Sequence, residues 1–134
     1  MTKNEIIAKV KALNLPTNSY IVFGSCPMAV AGLRESSDID LFASDKVLAS
    51  LKETGWEQSD EGDKPLVHDV FDAHDNWNFG PSYNPTLEYL LATADVVDGV
   101  PFVSLAEVKK WKTIMGRPKD MQDIKLIDNY LAQQ

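Results

Sequence analysis

The chain has 134 residues, 44% of them hydrophobic, 25% charged and 9% aromatic. That length fits one domain, residues 1–134, and the composition is that of a globular core former, not of a disordered tail. A net charge of −7 disfavours a protein that coats long nucleic acid, because such affinity comes mainly from Lys and Arg set against phosphates.

The single cysteine, Cys26, excludes an internal disulfide and fits a reducing compartment. The first residues are polar and no long apolar run follows them. The expectation is a cytoplasmic protein with no signal peptide, no transmembrane helix and no membrane partner.

Ile6, Ile7, Val10 and Leu13 recur at helical spacing over residues 3–13, and Asn14-Leu15-Pro16 ends that helix. Tyr20-Ile21-Val22-Phe23 reads as a short buried strand. Gly24-Ser25 follows, then a short helix from Met28 to Leu33. Ile39, Leu41 and Phe42 mark a second strand. Ser44 or Asp45 caps a helix carrying Val47, Leu48 and Leu51, which stops at Gly55. Residues 58–65 form a polar loop, and Leu66 to Phe71 is a third strand. Residues 75–81 read as irregular. Thr86 caps a helix through Leu91, and Asp98-Gly99 joins a hairpin. Ser104 to Glu107 is a capping box that opens a helix to Met115. Gly116-Arg117-Pro118 breaks it, and a last helix spans residues 119–131. The order implies a mixed α/β (α+β) fold, a small sheet flanked by helices with a C-terminal helix pair.

The chemistry concentrates at Asp38-Ile39-Asp40-Leu41. Residues two apart on a strand share a face, so Asp38 and Asp40 project together while Ile39 and Leu41 enter the core. Two adjacent carboxylates repel each other, and a divalent cation relieves that repulsion. Gly24 lets backbone approach a phosphate closely, and Ser25 supplies a hydroxyl. A third carboxylate should come from a neighbouring strand. Asp69 and Asp72 are the candidates, with Asp69 favoured because apolar residues flank it and Asp72 as the alternative. Leu105, Val108, Lys112 and Met115 share a helix face, so Lys112 points inward or along the apolar stripe. An anion or plain coverage of apolar surface fits that lysine equally well. Arg117 and Lys119 stand at a helix start, where the dipole disfavours cations, which suggests an anion nearby. Asp120 reads as a cap, and Asp123 as a further helix-start charge. His68 and His74 lack cysteine partners for zinc and read as solvent-facing or locally satisfied. Cys26 reads as a small buried residue, and Trp56 and Trp111 as partial core in preference to base-stacking platforms; His74-Asp75-Asn76-Trp77 reads first as a loop tethered by its Trp and second as the lining of a substrate pocket.

Phe23-Gly24-Ser25, a spacer, and Asp38-Ile39-Asp40-Leu41 resemble the nucleotidyltransferase superfamily, which includes DNA polymerase beta-like, minimal and antibiotic nucleotidyltransferases. Ser104-Leu105, Lys112 and Arg117-Pro118-Lys119-Asp120 with Asp123 resemble the ending of small bacterial members, including abortive-infection-type toxins. Cys26-Pro27-Met28-Ala29-Val30 departs from the family's small-Arg-Gly sequence. The resemblance implies Mg²⁺ (or Mn²⁺) at Asp38, Asp40 and the third acid. It implies an NTP held by Gly24, Ser25, Lys112, Arg117 and Lys119, with ATP among the donors. NMP would pass to a hydroxyl acceptor (a small molecule, protein or RNA) with release of pyrophosphate. The alternative is a non-catalytic nucleotide- or partner-binding module of a toxin–antitoxin type. Either reading leaves room for a homodimer or a partner protein.

Overall fold

A computed structural model describes residues 1–62 and 64–134. The polar loop expected over 58–65 includes position 63, which lies outside the described residues. The element order is α1 (Lys3–Ala12), β1 (Tyr20–Phe23), α2 (Cys26–Val30), β2 (Ile39–Ala43), α3 (Asp45–Glu53), β3 (Glu57–Gln58), β4 (Leu66–His68), β5 (Phe71–His74), α4 (Leu87–Ala92), β6 (Asp95–Val97), β7 (Val100–Phe102), α5 (Leu105–Met115) and α6 (Pro118–Ala132). The expected mixed sheet with flanking helices and a C-terminal helix pair is what forms.

The strands join in one sheet ordered β3-β4-β5-β2-β1-β7-β6. β1 and β2 are antiparallel, whereas β2 runs parallel to β5 and β1 parallel to β7. The strands with the most apolar sequence therefore sit at the centre. Ile21 and Val22 on β1, and Ile39 and Leu41 on β2, are fully buried.

The sheet separates two apolar clusters. One gathers Val22, Ile39 and Leu41 with α1 and α3 residues such as Ile6, Val10 and Val47. The other gathers Ile21, Phe23 and Phe42 with Trp77, Leu90, Val108 and Ile127 from the C-terminal half. Alternation along β1 and β2 assigns each side chain to one cluster or the other. The hairpin at Asp98-Gly99 forms as expected, with both residues at positive φ (53° and 82°), the backbone its two-residue turn demands.

Three local expectations change. The short helix begins at Cys26, not Met28, because Pro27 is well placed in a first helical turn. The single strand expected over Leu66–Phe71 is two strands, β4 and β5, joined by a tight turn at Asp69-Val70. Asp69 adopts φ 52° there, a left-handed conformation that Asp tolerates better than most residues. The capping box at α5 is half made. Ser104 Oγ accepts from Glu107 N–H at 3.3 Å, while the Glu107 carboxylate turns to Tyr83, Tyr89 and Lys110.

Among the described residues, no helix is long and apolar enough to cross a membrane.

Candidate functional site: an acid row beside an aromatic cavity

Cross-strand register builds the site. Phe23 lies opposite Asp40, and Asp40 lies opposite Asp72, across β1, β2 and β5. Directly paired residues share a face of the sheet, so Asp40 and Asp72 stand side by side. The next row pairs Phe42 with His74. His74 Nε2 lies 3.4 Å from Asp40 Oδ1, and its ring meets Phe23 edge-on at 5.2 Å between centroids. Asp38 is exposed at the bend that leads into β2. Its carboxyl is pushed above the ordinary carboxylate range, first by partial desolvation and then by the negative charge of Asp40. Asp38 and Asp40 are close enough for the charge of Asp40 to act on Asp38, although Asp38 stands at the bend before β2 and not in the strand that the sequence predicts for it.

The third acid is corrected. Asp69 falls in the β4–β5 turn and pairs with Lys9 on α1 at 3.3 Å, with both side chains substantially exposed. Its preference rests on a continuous strand, and that strand breaks at Asp69 itself. The place beside Asp40 belongs to Asp72.

Gly24 has φ 72°, and a Cβ there would sit inside the van der Waals envelope of Asp40 Oδ2 and 3.1 Å from its Cγ. The glycine therefore serves two needs, a left-handed turn and close approach to Asp40. Gly24→Ala should cost about 1–2 kcal/mol from the backbone alone. It should also displace the Asp40 carboxylate, and a lowered urea midpoint with an unchanged m-value would verify the stability part.

Ser25 precedes α2, and its Oγ lies 2.8 Å from the Oγ of buried Ser36. Ser36 Oγ donates to the Asp38 carbonyl at 2.7 Å, so its proton is committed and Ser25 is the donor of the pair. Cys26, fully buried, points its Sγ at the same Asp38 carbonyl at 3.3 Å. Burial pushes the Cys26 thiol up to about 11. It is a packing residue, as the sequence indicates, and wild-type protein should resist maleimide labelling at neutral pH until it is unfolded. Ser25, Cys26 and Ser36 together brace the bend that presents Asp38.

The C-terminal basic residues are placed differently from the expectation that they hold phosphate. Lys112 is buried, with Nζ 2.9 Å from Asp123 Oδ2 and 3.5 Å from Asp120 Oδ1. Arg117 forks onto Asp120, its Nε at 2.6 Å from Oδ2 and its second guanidinium nitrogen at 3.1 Å from Oδ1. Asp120 also accepts the Arg117 backbone N–H at 3.1 Å, the capping role expected of it. The Arg117 contact holds the Asp120 carboxyl below its ordinary range, against the cost of burial. Asp123 accepts from Arg34 at 2.6 Å as well as from Lys112, so it bridges helices instead of charging a helix start. Lys119 is exposed on the first turn of α6. Lys112, Asp120, Asp123, Arg34 and Arg117 thus form one ion cluster. It ties α5 and α6 to the loop that carries Arg34, Ser36 and Asp38.

Beside Asp40 opens a cavity of about 320 Å³, lined by Phe23, Gly24 and His74 from the sheet, Trp77 and Phe79 from the loop after β5, and Trp111 from α5. Trp77 is buried and touches Phe23, Phe79, Tyr83 and Trp111 at ring-centroid distances of 5.2–5.8 Å. It anchors the irregular loop, as its sequence context suggests. Glu107 fastens the same loop to α5 by accepting from Tyr83 and Tyr89 hydroxyls and from Lys110. Burial opposes ionisation of Glu107, but those three donors outweigh it and lower its carboxyl below the usual value.

Sequence reasoning missed Arg34 and Ser36, and of the aromatic cavity it marks only the segment from His74 to Trp77, as a second choice behind a tethered loop. The alternation Phe71-Asp72-Ala73-His74 carried a usable signal, since its apolar members are buried and its polar ones share the opposite face.

Among the described residues no group of three or more His, Cys, Asp or Glu side chains is disposed to hold a metal ion unaided. Mg²⁺ commonly takes only one or two protein carboxylates and completes its shell with water and phosphate oxygens. The adjoining Asp38 and Asp40, with Asp38 already resisting its own charge, fit that mode. No protein-family model, no curated protein and no solved structure matches the chain.

Proposed function

We propose that the chain transfers a nucleoside monophosphate from an NTP to a hydroxyl acceptor. The observation that carries this reading is the row Asp40–Asp72 across parallel strands, with Asp38 beside it and Gly24 closing tightly on Asp40. Asp38 and Asp40 would hold Mg²⁺ or Mn²⁺ together with the nucleotide's phosphate oxygens. The cation would neutralise charge that builds on the phosphates in the transition state.

The protein's own residues supply the rest. Asp72 takes the proton of the acceptor hydroxyl as its oxygen attacks the α-phosphorus. The bond to the bridging oxygen breaks, and pyrophosphate leaves with that electron pair. Gly24 admits the phosphate chain close to the backbone. Such chemistry asks mainly for positioning and charge stabilisation, which rigid strand register provides.

A specific observation favours a second reading, a nucleotide- or partner-binding module without transfer. The groups expected to grip the triphosphate are engaged elsewhere: Ser25 with Ser36, and Lys112 and Arg117 with Asp120 and Asp123. Incubation with α-labelled ATP, GTP, CTP and UTP and Mg²⁺ across small-molecule, protein and RNA acceptor pools separates the readings. Transfer by wild type that vanishes in Asp38→Asn supports the enzyme. Nucleotide binding with equal backgrounds in both proteins supports the module.

A further inference from the structure

We infer that the aromatic cavity beside Asp40 is a nucleobase subsite, formed by Trp77, Phe79 and Trp111. The inference rests on the nucleotide-binding reading of the acid row and adds to it which part of the ligand goes where.

The first argument is size. At about 320 Å³ the cavity lies at the lower limit for ligand sites, enough for a ring system and too small for a whole nucleoside triphosphate. A ring seated there leaves the rest of its molecule to run out past Gly24 and Asp40, which form one wall of the cavity.

The second argument is the lining. The Phe79 and Trp111 rings lie 5.6 Å apart at an interplanar angle of 33°, and Phe79 stacks on Tyr83 at 18°. Lys112 Nζ sits 4.5 Å from the Trp111 ring centroid. A cation over an indole draws on its electron-rich face, and electron-rich rings of this kind stack flat, polarisable partners.

The third argument is hydrogen bonding. The buried indole N–H groups of Trp77 and Trp111 have no acceptor among the described residues. Buried tryptophan usually finds a partner for its N–H; both nitrogens are closed off from the cavity as it stands, so a ligand's acceptor reaches them only when the rings shift. Asn76 and Asn78 also line the cavity; Asn76 Nδ2 donates to Asp75 and Asn78 Oδ1 accepts from Gly80 N–H, which leaves each amide further hydrogen-bonding capacity. A nucleobase carries ring nitrogens and carbonyl oxygens that accept, and amino groups that donate to amides. A phenolic ring offers a single oxygen, so it answers fewer of these groups.

Saturation-transfer NMR on the wild-type chain in metal-free buffer tests this with adenosine, guanosine, cytidine and uridine, and with phenol as a control. Binding should saturate, be strongest for the purines with their larger stacking face, and place the strongest transfer on base protons. Phe79→Leu, checked for folding by circular dichroism, should weaken binding about fivefold or more, the size of one base–aromatic stacking contact. Trp111→Leu is the second variant if the first does not fold, and the base-proton map of wild type needs neither.

Absence of nucleoside binding while Mg²⁺–NTP still binds through the acids overturns the subsite and leaves the proposed function standing. Nucleoside binding without any acid-dependent Mg²⁺–NTP binding upholds the subsite and removes the transferase reading. Preference for phenol over every nucleoside overturns the subsite.

Discussion

On the proposed function, Asp72→Asn should lower NMP transfer by on the order of 10²-fold or more, whereas Asp69→Asn should leave it within about twofold of wild type. The contrast follows from register. Asp72 is the direct cross-strand neighbour of Asp40 on a parallel pair, and that pairing places both carboxylates on one face. Asp69 is held in a turn by Lys9 at the surface. Asparagine keeps the shape of Asp72 and removes its charge and its capacity to take a proton. The substitution should therefore change kcat more than nucleotide affinity. The measurement is steady-state transfer with the acceptor that responds best, at fixed Mg²⁺. Equal losses in the two variants would detach catalysis from the β2–β5 row.

The second large effect is on stability. Lys112→Met should lower the free energy of unfolding by about 3–5 kcal/mol, measured by urea denaturation. Removing the cation leaves Asp120 and Asp123, both buried, with only the guanidinium groups of Arg117 and Arg34. Methionine fills a similar volume, so the loss reports uncompensated charge and not a cavity. Lys112→Met combined with Asp123→Leu should recover part of the loss, because an apolar pair can replace a buried ion pair. The pH dependence has a definite sign. Asp120 has a lowered carboxyl pKa in the fold, so its contribution is complete above the unfolded carboxylate value and is lost as pH falls through the folded one. Asp38 works in the opposite sense, because its raised carboxyl favours the fold at low pH and loses that advantage as pH rises.

These two predictions mark where the sequence was legible. Period-two and period-3.6 patterns located α1, β1, β2, α3, the Asp98-Gly99 hairpin and the C-terminal helices, since local burial fixes them. The same pattern brought Asp38 and Asp40 together and turned Lys112 inward. The strand reading of Asp69 fails for a definite reason. Asp69 and Val70 look like strand interior by composition, but Asp69 enters a left-handed turn that only the pairing of β4 with β5 demands. Whether a buried lysine meets phosphate or carboxylate is also non-local. Asp120 and Asp123 are one helix away from Lys112, and Arg34 is 89 residues away from Asp123. No spacing along the chain encodes that meeting. The aromatic cavity is legible only at its His74–Trp77 edge for the same reason, since Phe23, Trp77 and Trp111 come from three separate elements.

The central claim is that Asp38 and Asp40 bind a divalent cation together with a nucleotide's phosphates. Isothermal titration calorimetry of a non-hydrolysable NTP into the wild-type chain, with and without Mg²⁺, measures it directly. The predicted result is saturable binding that requires Mg²⁺ and weakens at least about tenfold in Asp40→Asn, a loss on the order of 1.4 kcal/mol. Binding that ignores both Mg²⁺ and the Asp40 charge, or no binding at all, would contradict it.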